Sequence, residues 1–212
     1  MAKNIKVMIG VPCHDQVQAS FAQSLANLVE YTTRKKYEVV IQFYEGTIVA
    51  TARQKILEQA VAQDVDYLYF VDSDMIMHPK VIEHLIRCDV DIVSTMFFKR
   101  VYPYQPCFYS GVTVDENNIA TLEVPLVWGE YGLYECDGTG LASTLISKRV
   151  LTRLVDEEPF IHPSAGIGED IAFCLNARNA GFKVYVDTRM ETGHIGRIVV
   201  TEKTYKEVQG NE

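Results

Sequence analysis

The first half of the chain alternates between short β-rich apolar runs and stretches with helical periodicity, and that alternation restricts the fold more than any other feature. Ile5 to Val11 (IKVMIGV) runs into Pro12, after which Val17, Phe21, Leu25, Leu28 and Val29 recur at helical spacing. Tyr37 to Phe43 (YEVVIQF) reads as a second strand, and Thr47 is placed to cap a helix carrying Ile48, Ala52, Ile56, Leu57 and Val61. A third strand, Tyr67 to Val71, is apolar on both faces, as a buried parallel strand should be, and stops at Asp72. Pro79 then opens the helix VIEHLIRC in the first-turn position that proline tolerates, and Asp91 to Phe98 is a fourth strand. Strands that alternate with helices predict an α/β fold: a mostly parallel sheet with right-handed crossovers and helices on both faces.

Beyond residue 98 the pattern changes. Cys107 to Val114 and Thr121 to Pro125 flank the turn signal Asp115-Glu116-Asn117-Asn118 and read as a hairpin, while Tyr134 to Gly140 and Leu141 to Ile146 look extended. Helical patterns return at Lys148 to Val155 and from Glu169 to Ala180, the latter closed by Gly181, before a last strand Phe182 to Val186. A β-rich second half joined to a parallel first half predicts a mixed sheet. With 212 residues and no repeat, low-complexity tract or Ser/Pro-rich linker, the chain reads as one domain whose style changes near residue 100.

Composition narrows the partners. The chain carries 28 acidic against 20 basic residues, a formal charge of −8 that opposes bulk attraction to nucleic acid or anionic lipid. Cys13, Cys88, Cys107, Cys136 and Cys174 are widely spaced, without a C-x-x-C or a Cys/His cluster, and predict reduced thiols instead of a disulfide framework or a structural zinc site. The N-terminus offers only the short apolar run Val7 to Val11, and no stretch approaches the ~20 apolar residues of a membrane span, so a cytoplasmic protein is expected. Walker-type and G-x-S-x-G motifs are absent, and Gly138-Thr139-Gly140 lacks the third glycine and the following helix of a dinucleotide loop.

The acids are the chemically informative residues. YLYFVDSDM places Asp72 and Asp74 just past the carboxyl end of a predicted central strand, where open α/β sheets bind their ligands. Carboxylates at i and i+2 of a strand end can point the same way, and such hard oxygen ligands suit Mg²⁺ or Mn²⁺ held between protein and a diphosphate. The plainer alternative is a pair of acids that solubilise a loop. Gly168-Glu169-Asp170 opens an amphipathic helix, where first-turn acids also complement the helix dipole by ~0.3–1 kcal/mol. Adjacent helix residues point ~100° apart, so at most one of Glu169 and Asp170 is expected to face a site, where it could take a proton from an acceptor hydroxyl. His194, between Gly193 and Gly196, is either a loop residue or an imidazole completing a mixed oxygen and nitrogen shell.

In order along the chain, Asp72-Ser73-Asp74, Gly138-Thr139-Gly140, Gly168-Glu169-Asp170, Lys183-Val184-Tyr185-Val186-Asp187 and His194-Ile195-Gly196 resemble the nucleotide-sugar-dependent glycosyltransferases of the GT-A fold. The resemblance covers nearly the whole chain. It implies a GT-A-like, Rossmann-type mixed sheet, with residues 1–100 as the nucleotide-sugar-binding half and 101–212 as the acceptor and catalytic half. It places Mn²⁺ or Mg²⁺ on Asp72, Asp74 and His194, and the catalytic base on Asp170 with Glu169 beside it. The donor nucleotide, a UDP-sugar first among the choices, falls on the loop Val11-Pro12-Cys13-His14-Asp15, chiefly Pro12 and His14, and on Glu45, Asp72 and Ser73. Ala52-Arg53-Gln54 is similar to an Ala-Arg-Asn element of the family, with Gln54 departing from its Asn. Arg53 could contact donor phosphates through its planar fork, or be a solvated helix arginine. Lys99, Arg100 and Arg197 are further cationic candidates.

The reaction so implied moves a sugar from a nucleotide-diphosphate sugar to an acceptor hydroxyl of unknown class. Breaking the bond from sugar to diphosphate leaves negative charge on the leaving oxygens, which a metal stabilises as a Lewis acid, while Asp170 would deprotonate the acceptor if the anomeric centre inverts. Two other functions share these features. A sugar-1-phosphate nucleotidyltransferase should carry a Gly-rich, basic loop where this chain has VPCHD, and a non-catalytic nucleotide-sugar or glycan-binding module could do without Asp74 or Asp170.

Overall fold

A computed structural model describes residues 4–117, 119–125, 129–162, 166–196 and 199–209. The first half runs β1 (Lys6–Pro12), α1 (Ala19–Arg34), β2 (Glu38–Tyr44), α2 (Val49–Ala62), β3 (Tyr67–Val71), β4 (Met75–Ile76), α3 (Val81–Ile86) and β5 (Ile92–Met96). The second runs β6 (Phe108–Tyr109), β7 (Gly111–Val114), β8 (Ala120–Glu123), β9 (Leu133–Cys136), β10 (Gly138–Thr139), β11 (Ser143–Ser147), α4 (Lys148–Leu154), α5 (Glu169–Asn179), β12 (Val184–Glu191), β13 (Gly193–Ile195), β14 (Val199–Val200) and α6 (Glu202–Gln209).

Seven strands form the central sheet in the order β2-β1-β3-β11-β5-β12-β9. β1 is parallel to β2 and β3, and β5 to β12. β11 runs antiparallel between β3 and β5, and β9 closes one edge antiparallel to β12. The expected mixed α/β sheet is present with one difference: β3 and β5 are not neighbours, because β11 lies between them. Buried hydroxyls need partners, and those around β11 have them. Ser143 Oγ lies 2.7 Å from Tyr69 Oη, Ser94 donates to the Ser143 carbonyl at 3.1 Å, and Thr144 donates to the Gly140 carbonyl at 3.1 Å.

Helices cover both faces. The two-residue period of β1 sends Val7, Ile9 and Val11 into a cluster with Phe21 and Leu28 of α1 and Val81 and Leu85 of α3. Met8 joins the opposite cluster with Ile56 of α2, Leu151 of α4 and Phe173 of α5. Each large apolar side chain so buried contributes about 1.5–3 kcal/mol. A Cβ on Gly10 would lie 2.5 Å from Ile56 Cγ2, so only glycine lets α2 pack this closely on β1.

Local boundaries depart from the sequence reading where expected caps are not made. α1 starts at Ala19, leaving Val17 exposed ahead of it. α2 has Ile48 at its N-cap without a side-chain cap, so Thr47 does not serve as one. α3 starts at Val81 and ends at Ile86, and the chain turns out at Asp89, whose φ is 52°. β7 and β8 form the expected antiparallel hairpin, Asp115 Oδ1 accepting from the amides of Asn117 and Ile119; Asn118 lies outside the described residues. Gly181, at φ 90°, ends α5 as expected. Among the described residues no helix is long and apolar enough to cross a membrane, and the five cysteines are free.

Candidate active site

The carboxyl ends of β1, β2 and β3 lie side by side, and their following loops are tied together by backbone bonds. Cys13 N donates to the Tyr44 carbonyl and Gly46 N to the His14 carbonyl, each at 3.0 Å. A pocket of about 250 Å³ opens there, lined by Pro12, Cys13, His14, Thr47, Val49 and Ala52 on one side and Asp72, Ser73 and Asp74 on the other. Of the residues expected to hold the donor, Pro12, His14, Asp72 and Ser73 line this pocket. Glu45 is exposed beside Cys13, whose thiol is pushed up by burial and then by the Glu45 charge.

Asp72 and Asp74 leave β3 on a turn closed by the Met75 amide, which donates to the Asp72 carbonyl at 3.2 Å. β4 then pairs with β13, setting His194 opposite Met75, and the Ile195 amide donates to the Asp74 carbonyl at 2.7 Å. This small sheet, which the sequence reading does not contain, is what brings the late histidine to the D-x-D turn. His194 Nδ1 lies 2.7 Å from the Phe98 carbonyl, and Nε2 lies 3.4 Å from Asp74 Oδ2. A carbonyl can only accept, so Nδ1 carries a proton, and in the neutral ring Nε2 is the free lone pair. Arg100 also pairs with Asp74. Burial raises the Asp74 carboxyl, but its bonds to His194 and the Arg100 charge outweigh that and leave it low; burial lowers His194, while Asp74 and the Phe98 carbonyl bring it above its ordinary value.

Arg53 organises the other acids. It sits on the buried face of α2 with Ala52, Ile56 and Leu57, and is 1% exposed. Its Nη2 donates to Asp72 Oδ1 at 2.7 Å and its Nε to Glu169 Oε1 at 3.3 Å, and the guanidinium carbon lies 5.1 Å from the Phe70 ring centre. Nη1 has no protein partner among the described residues. The solvated-arginine alternative is therefore wrong: Arg53 is an interior tie between the D-x-D turn and the start of α5. Burial raises the Asp72 carboxyl, Arg53 opposes this, and the Asp74 charge adds to the rise. Gln54 faces elsewhere, donating to the Val155 carbonyl at 2.9 Å.

Glu169 and Asp170 divide as helix geometry requires. Glu169 turns to Arg53, while Asp170 Oδ1 accepts from the Ile171 amide at 2.7 Å and Oδ2 would lie 3.6 Å from a Cβ built on Gly140. Burial, then the neighbouring Glu169 charge, lift the Asp170 carboxyl to about 6, a value suited to a base near neutral pH. Asp170, Glu169 and His194 do not line the pocket that holds Asp72 and Asp74. Of the cationic candidates, Arg100 reaches Asp74, Lys99 turns to Gln105 at 3.4 Å, and Arg197 lies outside the described residues.

The donor chemistry fits a hard divalent cation at Asp74 and His194: a carboxylate oxygen and an imidazole nitrogen 3.4 Å apart, the separation two ligands of one ion can have, with the cation replacing the proton that Nε2 otherwise shares with Asp74. Asp72, committed to Arg53, stands farther off. Asp72, Asp74 and His194 are not all within 4.8 Å of one another, whereas His84 and Cys88 at the end of α3 and Asp187 on β12 are. The sequence shows no Cys/His cluster, but the fold brings one cysteine beside a histidine and an acid. The one sequence signal of this second cluster is the i, i+4 spacing of His84 and Cys88; the approach of Asp187 is a product of the fold.

Residues 15–109, less than half of the chain, match the model of the Anp1 family. None of the curated proteins matches the chain in sequence. The crystal structure of A197 from STIV is similar over 91% of this chain and 86% of its own, with 18% identity and a TM-score of 0.58. UDP-glucose pyrophosphorylase, in complex with UDP-glucose, is similar over 99% and 98%, with 9% identity and a TM-score of 0.52. A glycosyltransferase involved in glycosylating the major capsid of PBCV-1 covers 74% and 71% at 14% identity, but its TM-score of 0.37 is too low to bear on the fold. The fold is GT-A-like, as the sequence resemblance implies.

Proposed function

We propose that the chain is a metal-dependent glycosyltransferase that moves a sugar from a nucleotide-diphosphate sugar to an acceptor hydroxyl. One observation carries this reading: the fold converges the D-x-D acids, His194 and the acidic start of α5 on one end of the sheet, beside the pocket formed by the β1 and β2 loops. The match of residues 15–109 to the Anp1 family, which is glycosyltransferase-like, supports it, as does a GT-A-like fold.

The donor's nucleotide and diphosphate occupy the pocket of Pro12, His14, Asp72 and Ser73. At about 250 Å³ the pocket is below the roughly 300–1,000 Å³ of small-molecule sites, so the sugar projects beyond it. Asp74 and His194 would hold Mn²⁺ or Mg²⁺, with Asp72 held by Arg53 on the same D-x-D turn, and the ion would supply Lewis-acid stabilisation of the leaving diphosphate. Arg53 fixes Asp72 and Glu169 and leaves Asp170 to act on its own. Asp170 accepts the acceptor hydroxyl proton, favouring inversion at the anomeric carbon. A UDP-sugar is the preferred donor.

A sugar-1-phosphate nucleotidyltransferase is the second reading, favoured by the likeness to UDP-glucose pyrophosphorylase. Against it stands the loop after β1, whose Cys13-His14-Asp15 offers no lysine, arginine or glycine to a triphosphate. Thermal-shift measurements with UDP-, GDP-, CMP- and dTDP-sugars, with and without Mn²⁺, test the proposal, since a donor at 100 times its Kd stabilises by ~2.7 kcal/mol. A metal-dependent shift with one donor, followed by release of its nucleoside diphosphate, is expected. No shift with any donor defeats the proposal, and pyrophosphate release from a nucleoside triphosphate with a sugar-1-phosphate establishes the second reading instead.

A further inference from the structure

Away from the acid cluster, α3 and β12 are joined by polar contacts that apolar packing does not require. Asp187 is 0% exposed, and its Oδ2 lies 2.9 Å from His84 Nε2, 3.1 Å from Cys88 Sγ and 2.7 Å from Arg189 Nη2. Arg189 Nε and its backbone amide both donate to the other oxygen, Oδ1, at 2.9 Å. His84 is on α3, and Cys88 lies in the turn that follows it, where the Cys88 amide donates to the Leu85 carbonyl at 3.1 Å. Their ligand atoms and that of Asp187 all lie within 4.8 Å of one another.

We propose that His84, Cys88 and Asp187 bind a zinc ion that joins α3 to β12, separately from the candidate active site. The set of one nitrogen, one sulfur and one oxygen selects zinc over magnesium or manganese, which favour oxygen alone. Tetrahedral bonds of ~2.0–2.3 Å set neighbouring donors roughly 3.3–3.7 Å apart, so the present 2.9 and 3.1 Å contacts need to open by only a few tenths of an ångström. Cys88 releases its thiol proton to solvent and binds as thiolate; His84 binds through the Nε2 lone pair with its proton on Nδ1. Arg189 Nη2 leaves Oδ2, which its 47% exposed side chain permits, while Nε stays on Oδ1 as the partner that orients the ligating carboxylate. The ion, a thiolate and a carboxylate sum to zero charge, which tolerates that guanidinium. Water takes the fourth position on the side where His84 is 27% exposed. Because α3 follows Asp74 and β12 precedes His194, the ion links the segments carrying these two residues at a second point.

Cobalt loading tests this. Reduced, chelator-stripped protein titrated with Co²⁺ is expected to develop a near-ultraviolet thiolate-to-cobalt band that saturates at one equivalent and disappears on adding Zn²⁺. The band is expected to be lost in Cys88→Ser and His84→Ala and kept in Asp74→Asn and Cys13→Ser, with zinc affinity about 10–100-fold weaker in Arg189→Gln. Absence of the band from the wild-type protein overturns the proposal, whether or not any variant folds. So does a band that survives Cys88→Ser.

Discussion

His194 Nε2 lies 3.4 Å from Asp74 Oδ2 because β13 pairs with β4, two residues of strand that begin immediately after Asp74. The Phe98 carbonyl fixes the other ring nitrogen, so Nε2 is already directed at Asp74 and, in the neutral ring, carries the lone pair. Three segments distant in sequence therefore define one ligand pair, and each can be perturbed separately.

Replacing either member of this pair is expected to reduce sugar transfer by more than the roughly 10–100-fold typical of residues that only orient a metal ligand. His194→Ala and Asp74→Asn should abolish the Mn²⁺-dependent part of donor binding, read by titration calorimetry with and without the ion. Equal donor affinity with and without Mn²⁺ in the wild-type protein would remove the metal from the site.

If Asp170 is the base of the proposed transfer, it is expected to set the pH dependence of the reaction. With its carboxyl at about 6, kcat/KM is expected to rise through that pH and level off above it, and the Asp170→Asn variant should lose both the limb and the activity. Stability moves the other way. The folded value lies above the ordinary ~3.9, so the stability linked to this proton is complete below the unfolded value and is lost as pH rises through 6. Urea unfolding should find Asp170→Asn more stable than wild type at pH 8, by up to roughly 3 kcal/mol, and nearly equal at pH 3.

Arg53 is expected to matter for stability before it matters for chemistry. Burial lowers its affinity for a proton, but Asp72 and Glu169 more than restore it. Arg53→Met leaves both carboxylates without their cation and should cost about 3–5 kcal/mol, the usual consequence of breaking a buried ion pair from one side. Adding Asp72→Asn and Glu169→Gln should recover part of that loss. Independent, additive effects in this cycle would show that the three side chains are not coupled.

Gly140→Ala probes the wall beside the base. Its Cβ would lie 2.7 Å from Phe97 Cζ, and Phe97 in turn meets the His194 ring edge-on with centroids 6.4 Å apart. Overpacking of this kind costs typically ~1–3 kcal/mol, and kcat should fall along with stability. Unchanged kcat in a destabilised variant would separate the Phe97 wall from the site.

Much of the fold was legible because its signals are local. β1 and β3 are unbroken apolar runs, α1 keeps its buried Phe21, Leu25 and Leu28 at helical spacing, and Gly181 ends α5 as its position predicts. The acids were legible by place, since Asp72 and Asp74 end a buried strand and Glu169 and Asp170 begin a helix. Arg53 was not, because an arginine on a helix says nothing about which face is buried until Asp72 and Glu169 come to it. β4, β13 and β14 are too short to show a period, and they are what position His194. The contacts among His84, Cys88 and Asp187 depend on the packing of α3 against β12, which no spacing in the chain encodes.

The antiparallel β11 has a consequence for how the chain acquires its shape. β3 pairs with β1 and β5 with β12, but the two halves of the sheet so formed are joined to each other only through Ser143–Ser147, which hydrogen-bonds to both β3 and β5. During synthesis the centre of the sheet therefore stays open until about two-thirds of the chain has been made, and loop closure over that span slows folding relative to a fold of consecutive neighbours. The pocket and the acids at the end of β3 take their final positions late, once Asp72 N can donate to the Ala142 carbonyl, so a nascent chain ending before β11 has the pocket residues without a fixed site.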